Sequence, residues 1–152
     1  MQEAKAQYPA SGESLFSLSH SSRLPQMDLA PVKRRMMHQP SGSWSFQQAE
    51  QVEPIYKAFL SLAHKYKGKK RIIPTEEIDA MWHCHILHTQ KYHQDCLQAF
   101  GEMIHHYPGD EEIMTEAEQQ QSFSQTQRLF KEEFGINLDL EKAAFCDAGP
   151  AE

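Results

Sequence analysis

Six of the nine histidines in this 152-residue chain lie between His83 and His106. That window reads Trp82-His83-Cys84-His85, then His88, Tyr92, His93, Asp95 and Cys96, and closes on the doublet His105-His106. Imidazole is the commonest side-chain metal ligand and the usual proton carrier near neutral pH. With Asp, Cys and Tyr beside it, the window points to a metal site or an acid–base site.

Helical geometry limits which of these groups can meet. His83 and His85 are about 200° apart on an ideal helix and are poorly placed to share one ion. Asp79 and His83, four residues apart, lie on one face. Two arrangements follow. In the first, Asp79 and His83 bind metal with a histidine of the 105–106 doublet. In the second, His85 and Cys96, with Tyr92 nearby, receive the other histidine of that doublet. His85 and Cys96 are roughly 16 Å apart along a straight helix, so the second needs a break near His88-Thr89. Aspartate and histidine ligands suit zinc or iron, and a joining thiolate suits zinc or copper. Three ligands with an open position would suit catalysis, whereas four would make a closed, structural site. Neither HExxH nor paired CxxC is present to decide.

Plainer readings compete at each position. An Asp79–His83 pair is also what an i, i+4 hydrogen bond on a helix surface looks like. His88 and His93 fit solvent-facing positions, Trp82 and Tyr92 fit a core, and Cys96 alone fits a small buried hydrophobe. Cys84 and Cys146 read as ordinary thiols. The joint density of such groups, rather than any one of them, favours a site.

The elements that would position these residues are helical. Residues 1–28 are rich in Ser, Gln, Ala and Pro and are expected to form a disordered tail. A short amphipathic helix is predicted over Leu29–Met37, ended by Gln39-Pro40-Ser41-Gly42. Ser45 and Gln48 form a capping-box pattern that opens a second helix running to about Tyr66. Arg71-Ile72-Ile73-Pro74 reads as an extended connector. Thr75 then caps a helix with Glu76, Glu77 and Asp79 in its first turn, which carries the histidine window to Phe100-Gly101. A turn follows over 102–110, and a last helix is predicted from about Thr115 to Phe134, ended by Gly135. No strand of convincing length is present. The expectation is an all-α bundle of about four helices over 29–140, with a C-terminal tail over 141–152.

Bulk properties agree with one globular domain: 39% hydrophobic and 24% charged residues, with a net charge of −6. That charge argues against nucleic acid as a partner. The basic run Lys65, Lys67, Lys69, Lys70, Arg71 and the acidic stretch Asp110, Glu111, Glu112, Glu116, Glu118 read chiefly as solvated surface. No apolar run is long enough to span a membrane. Three scattered cysteines and a polar N-terminus lead to an expected cytoplasmic location with reduced thiols.

Residues 72–109, IIPTEEIDAMWHCHILHTQKYHQDCLQAFGEMIHHYPG, resemble the signature of the glycine-rich domain-containing protein-like family. The matching positions are Pro74, Asp79, Trp82, His83, His85, Leu87, Thr89, Tyr92, Asp95, Cys96, Phe100, Gly101, His105, His106 and Pro108. The flanking FLSLAHKY and RLFKEEFG also look like the family's helices, which extends the resemblance to about residues 30–138. It implies a single helical domain and marks Asp79, His83, His85, Tyr92, Asp95, Cys96 and His105 as the site. After Pro108 the chain continues Gly109-Asp110-Glu111, where members often have an aromatic-glycine turn. The glycine-rich region of the plant members is absent, so an RNA-linked role is not carried over.

The preferred reading is a metal-binding helical domain with Asp79, His83 and His105 or His106 as ligands, and His85, Tyr92 and Cys96 as the adjoining pocket. In an enzyme, the metal would activate water or dioxygen while His85 or Tyr92 moves protons. A different class is a non-enzymatic module that binds a protein partner, its His/Tyr/Asp cluster serving as a buried hydrogen-bond network. A metal-free enzyme pairing Cys96 with a histidine is the third possibility. The partner is a small molecule or a protein.

Overall fold

The computed structural model describes residues 23–40, 42–109, 114–138 and 146–149. Five helices occur among them: α1 (Ala30–Met37), α2 (Phe46–Lys65), α3 (Glu76–Leu87), α4 (Thr89–Phe100) and α5 (Glu116–Phe134). A two-residue strand β1 (Tyr107–Pro108) pairs antiparallel with β2 (Cys146–Asp147), Tyr107 opposite Asp147 and Pro108 opposite Cys146. The all-α expectation holds, with this small ribbon added.

The central helix is α2. Its cap is the predicted one, with Ser45 accepting from the Gln48 N–H and Gln48 from the Ser45 N–H. Val52, Ile55, Tyr56, Phe59, Leu60 and Ala63 recur at helical spacing and are buried. Pro54 lacks an N–H for the ladder, yet the helix continues through it. The stripe Leu29, Val32, Met36 lays α1 against the core, and Lys33 joins Glu50 and Glu53 of α2. On the other side, α5 packs through Leu129, Phe130 and Phe134. It also holds the 71–74 connector, because Thr126 Oγ1 accepts the Ile73 N–H at 3.0 Å.

Three sequence expectations are revised. Residues 1–22 of the predicted tail lie outside the described residues, but Met27 is buried and Leu24 packs on the core, so order begins before residue 29. Within the predicted C-terminal tail, Cys146 and Asp147 are buried in β2. The helix expected over 75–100 is two helices with a break at His88 (φ −83°, ψ 69°).

The break has a local cause. In a continuous helix the Cys84 carbonyl would accept the His88 N–H. Here the His88 N–H bonds one residue short, to the His85 carbonyl at 3.0 Å. The imidazole takes the vacated place, with Nδ1 2.8 Å from the Cys84 carbonyl oxygen. A side chain thus satisfies the carbonyl that the turn would otherwise orphan. The chain then bends back, bringing α4 onto α3 and ending at Gly101 in the left-handed conformation (φ 75°), which costs glycine little. Residues 102–106 return across α3 and deliver the histidine doublet.

Candidate metal centre

Two polar networks grow from this arrangement, and they divide the histidines as their helical angles require. The first gathers on one carboxylate oxygen. Asp79 Oδ1 lies 2.9 Å from His106 Nε2, 3.2 Å from His83 Nε2 and 3.0 Å from the Cys146 thiol. The two imidazole Nε2 atoms are themselves 2.9 Å apart. Ligand atoms of Asp79, His106 and Cys146 all fall within 4.8 Å of one another. His83 is more than half exposed, whereas Asp79 and His106 are largely covered. The cluster therefore opens to solvent on the His83 side.

Burial alone would raise the Asp79 pKa. Hydrogen bonds from His106 and Cys146 and the nearby His83 outweigh it and hold the carboxyl below the usual range. Burial, reinforced by the facing Asp79 carboxylate, pushes the Cys146 thiol far up.

The second network is interior. His85, with no exposed surface, sits between the Tyr56 hydroxyl (2.7 Å from Nδ1) and Asp95 Oδ2 (2.8 Å from Nε2). A carboxylate only accepts, so these partners assign the imidazole proton to Nε2, and Nδ1 receives the Tyr56 O–H. Lys91 adds a contact to Asp95 at 3.0 Å. Burial lowers the His85 pKa, with Asp95 opposing only in part. Beside it, the Trp82 N–H donates to the Tyr92 hydroxyl at 2.9 Å, and that hydroxyl donates to the Ile104 carbonyl. Burial pushes the Tyr92 pKa well up. In a straight helix, residues 82 and 92 would be about 15 Å apart, so the break at His88 creates these contacts.

The sequence candidates sort accordingly. Asp79 and His83 come together as the first arrangement expected, and the doublet member that joins them is His106. His105 points to the surface beside Tyr107. His85, Tyr92 and Asp95 belong to the interior network. Although the helix does break, Cys96 is buried near Tyr92 and the Ile104 backbone, and burial raises its thiol pKa. The three-residue ligand group among the described residues is Asp79, His106 and Cys146, with His83 at its exposed side and Cys96 outside it. The thiol that reaches the cluster is Cys146, which from sequence reads as an ordinary thiol. Nothing local marks it, because only the β1–β2 pairing carries it to Asp79.

Fold and site together define a small, mostly helical domain with a mixed Asp/His/thiol cluster at its edge. A family model described as UCP032817-like matches residues 20–142, and the chain belongs to that family. It is similar to glycine-rich domain-containing proteins 1 and 2 of Arabidopsis thaliana. Identity is 31% over 83 residues with the first and 33% over 86 with the second. Each alignment covers 53% of this chain but only 10% of the plant protein. No solved structure matches.

Proposed function

We propose that this domain binds a divalent metal ion through Asp79, His83 and His106, with zinc and iron the best suited. The supporting observation is a proton count. Each neutral imidazole brings at most one proton to its Nε2, and the carboxylate brings none. If both Nε2 atoms carry protons and donate to Asp79, two N–H groups face each other at 2.9 Å. If only one does, a second contact sets lone pair against lone pair. No assignment of protons to two neutral imidazoles satisfies the triangle, but a central cation would accept a lone pair from each corner. Ligand bonds near 2.1 Å put neighbouring donors about 3.0 Å apart in octahedral geometry and about 3.4 Å apart in tetrahedral geometry. The observed edges of 2.9 to 3.2 Å are close to that range.

Turnover by His85 or Tyr92 asks for a free nitrogen or hydroxyl facing the ion. Both His85 nitrogens and the Tyr92 hydroxyl are engaged elsewhere, which favours a supporting role for them. The Tyr56–His85–Asp95 chain is the feature that favours the structural-network reading for the interior half of the cluster.

The test is elemental analysis of tag-free protein purified without chelator. About one equivalent of zinc or iron is expected in the unmodified chain, and little in His106→Ala or His83→Ala with helical content retained. Undiminished metal in both variants would overturn the assignment.

A further inference from the structure

We infer that β2 is a metal-dependent clasp, in which Cys146 closes the coordination shell begun by Asp79, His83 and His106 and selects thiophilic ions. The inference rests on the metal reading above and adds a ligand and a conformational consequence to it.

Two independent features lead here. The first is where the thiol points. Cys146 Sγ is 3.0 Å from Asp79 Oδ1, the same oxygen both imidazoles approach, and its sulfur shares the 4.8 Å envelope with Asp79 and His106. A cation at the centre would displace the thiol proton to solvent and leave a thiolate as ligand. With His83 joining Asp79, His106 and Cys146 on the ion, two nitrogens, one oxygen and one sulfur would make a closed tetrahedral set, suited to zinc and unfavourable for magnesium or manganese.

The second feature is how short the pairing is that ties β2 to the rest of the described residues. The strand is two residues long and, among the described residues, pairs only with the equally short β1. An isolated ribbon of that length is not stable in water. Among the described residues its other contacts include Arg71 Nε to Asp147 Oδ2 at 3.5 Å, the Gly149 N–H capping Asp147 at 2.7 Å, Gly149 lying against the Tyr107 ring, and Ala148 packed on the core. A metal–sulfur bond would be the strongest tie between this segment and the helices. Ion binding and strand docking are then one equilibrium, and each strengthens the other.

The experiment uses the full chain, stripped with chelator and titrated with zinc chloride. Hydrogen exchange is followed in peptides covering 104–109 and 146–149. Zinc should slow exchange in both by about tenfold or more, and Cys146→Ser should bind zinc about tenfold or more weakly without that protection. As a second readout, cobalt(II) should give a thiolate-to-metal charge-transfer absorption in the unmodified chain that Cys146→Ser lacks. Zinc binding of equal strength in both proteins, with unchanged exchange at 146–149, would overturn the clasp and leave the Asp79–His83–His106 site standing. Absence of zinc or cobalt binding to the unmodified chain would overturn both.

Discussion

The imidazole of His106 rests on the indole of Trp82, with ring centroids 4.4 Å apart and planes inclined at 55°. Trp82 has no exposed surface, and its N–H reaches back to Tyr92. One side chain therefore touches the surface cluster with its ring and the interior network with its nitrogen.

That contact makes Trp82 an internal reporter. In a Trp44→Phe background, the remaining tryptophan emission should change on adding zinc and saturate near about one equivalent. The change should vanish in His106→Ala. Emission that stays constant while zinc is bound would place the ion away from His106.

His85→Ala should cost about 2–4 kcal/mol in urea denaturation, because Tyr56 and Asp95 each lose a buried partner and a cavity remains. Metal stoichiometry should be unchanged. Loss of metal with little loss of stability would move His85 into the ion's shell.

Stability should also fall as the solution is acidified past His85. Folding lowers its pKa, so the unfolded chain binds the proton more readily. Its contribution is fully present above the unfolded value of about 6.5 and is lost as pH falls toward the folded value. Urea midpoints at graded pH should show a smaller acid loss in His85→Gln than in the unmodified chain. Identical slopes would contradict the assignment.

His88→Ala removes the ring that satisfies the Cys84 carbonyl. The expected cost is about 0.5–1.5 kcal/mol, with faster hydrogen exchange at the Tyr92 amide that opens α4. Unaltered exchange and stability would mean that the break does not depend on the imidazole.

Much of this architecture is legible in the chain. Ser45 with Gln48, Thr75, Gly101 and Gly135 mark helix ends through caps whose chemistry is local. The division of labour between His83 and His85 follows from their angular separation alone, and Asp79 with His83 from their four-residue spacing. The break is harder to see, because neither Gly nor Pro produces it. A histidine competes for a backbone carbonyl, and a competition of that kind leaves no periodic trace. Cys146 is the least legible of all. Its place depends on pairing with Pro108, and two paired residues carry no pattern.

The fold-back at His88 also orders events in time. Its defining contacts, Trp82–Tyr92 and His85–Asp95, each join residues ten apart in sequence, so they close short loops at little entropic cost. Tyr107 and Asp147 are forty apart, and two residues of pairing return little against that longer closure. The interior network is expected to condense early, and the ribbon to be the last piece to dock and the first to leave.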